Sequence, residues 1–180
     1  MESIFQGKAE MTGRLYLIRY SRGLVGGLIG GLAGTLVMDL VLMGALSALG
    51  LPALTCFSIV GNTVARFFSI QGVEVERAIQ LGVITHYLIG PLVGLIYGVG
   101  VVWIKALHVI SWKKSILFAI LYVEILSQPL LATTPILLKM TVPVTLQWYA
   151  GSFVMHLLFA VVLGAVVFRI IHTKNPVTLR

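Results

Sequence analysis

The chain has 180 residues, of which 58% are hydrophobic and only 11% are charged, and its formal net charge is +7. A soluble domain of this length needs many more polar side chains to cover its surface, so the composition indicates a membrane protein. The basic residues stand at the ends of apolar segments, which is typical of topology signals and excludes the clustered basic face that binds nucleic acid.

Residues 1–22 form a basic tail ahead of the first long apolar segment. The tail carries Lys8, Arg14, Arg19 and Arg22, with apolar side chains between them. This mixture is compatible with an amphipathic helix on the inner membrane surface and equally with an irregular tail. We expect the tail to be cytoplasmic in either form, because Lys and Arg favour that side of a membrane.

Four apolar segments are long enough to cross a bilayer, for which about 20 residues suffice. We expect helices, because backbone polar groups in lipid must be satisfied within the segment. The predicted fold is therefore all-α, a four-helix transmembrane bundle over 23–171 with a cytoplasmic tail over 172–180. The predicted spans cover 23–49, 80–104, 114–134 and 148–171.

Lys and Arg are distributed unequally between the two sides of the predicted bundle. They concentrate in the N-terminal tail, in the loop between the second and third spans and in the C-terminal tail. The other side has only Arg66, Arg77 and Lys139. The positive-inside rule therefore predicts that both termini are cytoplasmic.

The connection between the first two spans contains a fifth predicted helix, over about 54–70. Phe57, Val60, Val64 and Phe67 recur there at helical spacing, which indicates a short amphipathic helix. Two positions are open for it. It either covers the helix ends at the membrane surface or folds partly back into the bundle.

Glycine recurs at close intervals along three of the spans. Such ladders let helix backbones approach closely. Packing within the chain explains them, and dimerisation through the first span is the alternative. The glycines that we expect at helix contacts are Gly27, Gly31 and Gly34 in the first span, Gly90, Gly94 and Gly98 in the second, and Gly164 in the fourth.

One ionisable residue lies near the middle of each span: Asp39, His86, Glu124 and His156. An Asp at a helix centre costs roughly 2.5–3.5 kcal/mol on insertion scales, so four such residues suggest a shared polar site. Counted at ~1.5 Å per residue, these four and Gln128 lie in the outer half of the bundle or near its midplane. A common cavity is therefore geometrically possible.

Three chemistries fit such a site. Carboxylates and imidazoles can carry protons or cations through a bundle. The candidate ligands His86, His156, Asp39 and Glu124 suit a metal ion, although no Glu-x-x-His pair is present. His86 and His156 alone suit a b-type haem. The interpretation without function is that each residue only hydrogen-bonds a neighbouring helix. The motifs of hydrolases and nucleotide enzymes are absent.

Several short motifs of the chain resemble a family of small prokaryotic four-helix membrane proteins of unknown function. The resemblance implies that Asp39, His86, Tyr87, Gln128 and His156 belong to the family pattern, and that the protein lies in a prokaryotic inner membrane. It supplies no activity. The motifs are Gly34-Thr35, Met38-Asp39-Leu40, Gly50-Leu51-Pro52, Val60-Gly61, His86-Tyr87-Leu88-Ile89-Gly90, Gln128-Pro129 and the last-span His156.

The leading functional hypothesis is a small transporter or channel-like protein for protons, cations or a small polar solute. Asp39 would accept the proton or cation, His86 and His156 would relay it, and Gln128 would supply a neutral hydrogen bond. This hypothesis requires no cofactor. Two alternatives are an accessory subunit of a larger membrane complex and a metal- or haem-binding protein. A homodimer is possible in each case.

Overall fold

The computed structural model describes residues 2–104, 107 and 111–173, with side chains from residue 17 onward. The described chain contains five α-helices and no strand, which confirms the predicted all-α class. Four helices are long and apolar enough to cross a membrane, so the protein is a multi-pass membrane protein. The helices are α1 (Glu2–Ala48), α2 (Thr55–Ile70), α3 (Ala78–Trp103), α4 (Trp112–Leu137) and α5 (Val142–His172).

Three helices extend by at least three residues beyond a predicted end. α1 begins inside the predicted basic tail and runs without a break into the first span, whose apolar part is Leu17–Ala48. α4 continues through Pro129 and Pro135, and α5 begins at Val142 rather than at residue 148. Pro143 is tolerated there because the first helical turn has no partner for its N–H groups. The predicted C-terminal tail lies outside the described residues from residue 174 on.

α1 occupies the centre of the packing, because two rows of glycine on it receive two different neighbours. A Cβ atom on Gly27 would lie 2.8 Å from the Cα of Leu95, so only glycine permits this approach. Both rows are therefore used for packing within the described chain. Gly23, Gly27 and Gly31 face Gly98, Gly94 and Gly90 of α3, while Gly26, Gly30 and Gly34 face Val167, Leu163 and Phe159 of α5.

The bundle divides into two halves of different density. The packed half lies near the chain ends, where Tyr97 donates a 2.6 Å hydrogen bond to the Ser115 carbonyl. Ser115 in turn donates from Oγ to the Gly164 carbonyl at 2.7 Å. Leu163 and Val167 are fully buried there. The cavity half lies at the opposite end of the bundle, where α1 and α4 end and α3 and α5 begin. The residues that mark this end are Leu46, Ala78, Leu137 and Val142.

α2 lies against α3 in the cavity half and reaches across to α4. Gly61 lies on the Ala78 carbonyl, and a Cβ on Gly82 would lie 2.9 Å from the Cα of Phe57. The hydroxyl oxygens of Thr63 and of Thr134 in α4 lie 3.3 Å apart. The predicted amphipathic helix over 54–70 is therefore confirmed, and it packs against α3 and α4.

Candidate ligand cavity and buried Asp–His pair

A cavity of about 520 Å³ occupies the cavity half and is lined by residues from all five helices. Small-molecule sites typically measure about 300–1,000 Å³, so this volume suits one small ligand. The lining is mostly apolar: Met38, Leu42 and Ile89 are representative. A cavity of this volume and lining is therefore a candidate site for a molecule with a large apolar part.

Most hydroxyl groups that line the cavity donate to the carbonyl one turn back in their own helix. Thr35 donates to Gly31 at 2.9 Å, Thr85 to Leu81 at 2.7 Å, and Thr63, Thr133 and Ser127 do likewise. A hydroxyl used in this way keeps only acceptor capacity for a ligand. The remaining polar groups of the lining are chiefly His86, His156, Gln147 and Ser152.

Asp39 and His86 form the buried polar pair of this site. His86 Nδ1 lies 3.0 Å from Asp39 Oδ1, and the Asp39 residue is 3% exposed. His86 lines the cavity, and Asp39 lies behind it. An ionised carboxylate only accepts hydrogen bonds, so the Nδ1 atom of His86 donates in this contact. The Phe57 ring packs edge-on against the imidazole with centroids 5.2 Å apart.

The second oxygen of the Asp39 carboxylate is incompletely satisfied. Within the part of the chain that the structure describes, Oδ2 is enclosed and makes no hydrogen bond. Tyr87 lies near enough to interact electrostatically with the carboxylate. A carboxylate with an unused oxygen in a low-dielectric interior has capacity for one more proton or donor.

His156 of α5 joins the same region of the cavity. It lines the cavity and lies within the range of electrostatic interaction with His86. Its Nδ1 is enclosed and has no hydrogen-bond partner among the described residues. Asp39, His86, Tyr87 and His156, four of the six predicted site residues, are therefore grouped around one wall.

Glu124 and Gln128 lie elsewhere on α4. Neither lines the cavity, although their neighbours Val123 and Ser127 do. Gln128 is exposed and donates from Nε2 to the Glu124 backbone carbonyl at 3.0 Å. Both carboxylate oxygens of Glu124 are enclosed without a hydrogen-bond partner in the described chain. These two residues are thus not part of the cavity wall.

The candidate metal ligands are not assembled as a set. Among the described residues, no group of three or more His, Cys, Asp and Glu side chains is placed to hold a metal ion. The two predicted haem ligands, His86 and His156, do line the same cavity. The described residues therefore do not support a metal site of four ligands. The haem hypothesis stays a prediction.

Sequence reasoning missed the contributions of α2 and of the start of α5. Cys56 of α2 interacts with His86, and Phe57 packs on the same ring. Gln147 precedes the predicted start of the fourth span at residue 148, whereas α5 includes it. The proline at the first turn of α5 could have indicated the earlier start.

Comparisons of the chain with protein-family models, with curated proteins and with solved structures give no match. The resemblance of the short motifs to a family therefore stays a prediction.

Proposed function

We propose that this chain is a small membrane transport protein that binds one small amphipathic molecule in the cavity and couples its movement to a proton on the Asp39–His86 pair. The supporting observation is the cavity of about 520 Å³, which His86 lines while its partner Asp39 lies behind it. The protein would lie in a prokaryotic inner membrane with both termini cytoplasmic, so the cavity half would face outward.

The lining favours an amphipathic molecule over a bare ion. A metal cation such as Ca²⁺ takes six to eight oxygen ligands, whereas the wall of this cavity is mostly apolar. The apolar body of a ligand would contact side chains such as Leu42 and Leu131. Its polar group would meet the imidazoles of His86 and His156. The proposed ligand differs from the solute expected from the sequence, which is a proton, a cation or a small polar molecule.

Proton coupling is supported by the place of the pair between two helices. Asp39 belongs to α1 and His86 to α3, so a proton added to or removed from the pair changes a contact across the α1–α3 interface. Buried carboxylates and histidines inside membrane bundles commonly mark such proton sites. Ligand binding beside His86 and proton binding at Asp39 would then influence each other, since both act on one hydrogen bond.

The unequal density of the two halves supports transport by alternating access. The packed half, with fully buried Leu163 and Val167, leaves the cavity to the other half of the bundle. A transporter in one of its end states has such a site near the midplane with one route closed. Export or import would require a second state in which the packed half separates.

Net proton flux in proteoliposomes tests the proposal. Vesicles containing the pH dye pyranine would receive a pH gradient and then decanol, a small neutral amphipath. Decanol recrosses a bilayer unaided, so coupled transport would appear as continuous proton flux. Wild-type protein should dissipate the gradient faster with decanol than without it, and Asp39→Asn and His86→Ala should lose most of this increase.

Matched controls separate this effect from a general loss of charge or histidine. Glu74→Gln and His172→Ala change exposed groups away from the cavity and should behave as wild type. Decanol-dependent flux equal to that of protein-free vesicles, or equal flux in wild type and Asp39→Asn, would show the proposal to be wrong.

Haem binding is the second candidate, favoured by the presence of His86 and His156 in one cavity wall. An optical spectrum of the purified protein decides it. A Soret band that disappears in both His86→Ala and His156→Ala would support haem, whereas a spectrum without a Soret band would eliminate it. Purification in mild detergent would show whether the chain is isolated alone, as a homodimer or with partner subunits.

A further inference from the structure

We infer that the ligand enters the cavity sideways from the lipid, through a gap between α3 and α4, and that it is a lipid-soluble molecule with a neutral hydrogen-bonding group. This inference rests on the proposed function. We call the gap the lateral portal, bordered by Thr85 and Ile89 of α3 and by Leu126 and Leu130 of α4. All four residues line the cavity.

Among the described residues, the hydrogen bonds between α3 and α4 lie toward the packed half. Tyr97 donates to the Ser115 carbonyl at 2.6 Å, and Tyr122 donates to the Val93 carbonyl at 3.0 Å. The rings of Tyr97 and Tyr122 also pack with centroids 5.6 Å apart. Beyond Val93 and Tyr122, toward the cavity half, the described residues show no hydrogen bond between the two helices, whose overall contact is sparse.

The face of α4 that meets α3 at Tyr122 continues as Leu126, Leu130 and Thr133, because residues three or four apart share one side of a helix. Tyr122 reaches α3, but Leu126 and Leu130 are 43% and 57% exposed and line the cavity. Their side chains thus stand where a contacting helix would have covered them. The two helices separate at this level and leave the cavity bordered by leucine.

α2 limits the lateral portal on the side of the membrane surface. It packs on α3 through Phe57 and Gly82 and bonds α4 through Thr63 and Thr134 at 3.3 Å. The Tyr122–Val93 hydrogen bond limits the portal on the other side. An opening between these two contacts lies within the spans and is bordered mainly by apolar side chains. At that depth the neighbouring medium is acyl chains rather than water.

The polar groups of the cavity select the head group of the ligand. The Asp39 carboxylate lies behind His86 and disfavours a second negative charge nearby. The imidazoles of His86 and His156, with Gln147 and Ser152, can exchange hydrogen bonds with an uncharged hydroxyl or carbonyl. A ligand with an apolar chain or ring and one such neutral group therefore matches both the entrance and the wall.

Trp148 offers a probe for this inference, because it lines the cavity and donates from Nε1 to the Leu131 carbonyl at 3.2 Å. Trp103→Phe and Trp112→Phe would remove the other two tryptophans. In nanodiscs, bromoundecanol, a neutral lipid-soluble quencher, should reduce Trp148 fluorescence more strongly than aqueous iodide. Leu126→Phe with Leu130→Phe narrows the lateral portal and should at least halve the bromoundecanol quenching.

Leu117→Phe with Leu121→Phe is the matched control, since both residues are lipid-exposed on α4 and neither lines the cavity. This pair should leave quenching unchanged, and thermal unfolding would verify that all variants fold. Stronger quenching by iodide, or equal quenching in the portal and control variants, would overturn lateral entry. Decanol-dependent proton flux could persist in that case, so the proposed function would survive.

The head group is tested by bromoundecanoate, the anionic counterpart of the same chain. Quenching of Trp148 by bromoundecanol well above that by bromoundecanoate supports a neutral ligand. Equal or stronger quenching by the anion would overturn that assignment while leaving the entry route intact.

Discussion

Asp39 and His86 meet through a 3.0 Å contact between Oδ1 and Nδ1 that crosses the interface of α1 and α3. The same interface is tightened by glycine, because Gly31 lies on the backbone at Gly90, and Thr35 fills the space beside Gly90. One polar contact beside the cavity is thus tied to a close, glycine-mediated contact between two helices. A change in that contact would therefore alter the relative position of α1 and α3.

The Asp39–His86 contact should show energetic coupling. Asp39→Leu and His86→Leu each leave one buried polar partner without the other, so each should lower the free energy of unfolding by about 1–3 kcal/mol. The double variant should lose less than the sum, because no uncompensated group remains. Reversible unfolding in detergent measures all three, and strictly additive losses would contradict a coupled pair.

Gly94→Ala should destabilise the bundle. The new Cβ would meet the Gly27 carbonyl oxygen and lie 2.7 Å from the Cα of Gly31, which are backbone atoms that cannot turn aside. Overpacking of this kind costs about 1–3 kcal/mol. Gly44→Ala is the control, since a Cβ there has nothing within 4 Å and alanine is the better helix former. The unfolding temperature should fall for Gly94→Ala and not for Gly44→Ala. Equal unfolding temperatures would contradict the close α1–α3 approach.

Gly151→Leu should block the cavity without unfolding the protein. Gly151 lines the cavity, and a Cβ placed on it has no atom within 4 Å. The added side chain would occupy ligand space, so decanol-dependent proton flux should drop while the unfolding temperature holds. Gly100→Leu is equally unobstructed but lies outside the cavity lining, and it should retain flux. Full flux in Gly151→Leu would indicate that the cavity does not bind the transported molecule.

Glu124→Leu should stabilise the protein. Both carboxylate oxygens are enclosed and have no hydrogen-bond partner among the described residues. Burying an unpaired polar group costs about 1–3 kcal/mol, and leucine removes that cost in a lipid-facing helix. Because Glu124 does not line the cavity, flux should persist. The unfolding temperature should rise for Glu124→Leu and fall for Asp39→Leu. A lower unfolding temperature for Glu124→Leu would reveal a partner for Glu124.

Hydropathy alone was sufficient to predict the four spans and the amphipathic helix before α3. A span is a local property, because its backbone polar groups are satisfied within the segment wherever it packs. The helix ends were less predictable. α5 extends back to Val142 through Pro143, a residue that ends helices elsewhere but is tolerated in the first turn.

The candidate site was only partly predictable for a rotational reason. Glu124 and His86 have the same standing in the sequence, as single ionisable residues in apolar spans. One residue along a helix is a turn of about 100°, so Val123 and Ser127 can line the cavity while Glu124 does not. No property of the isolated segment sets this rotation, which follows from the neighbours that α4 packs against.

The sequence by itself determined that the protein is a helical membrane bundle and that its polar residues lie within the spans, since composition and backbone chemistry dictate both. Only the tertiary structure decided which polar residues meet, that α2 folds against α3 and α4, and that one half of the bundle is hollow. These features depend on helix rotation and separation, which arise from contacts between residues far apart in the chain.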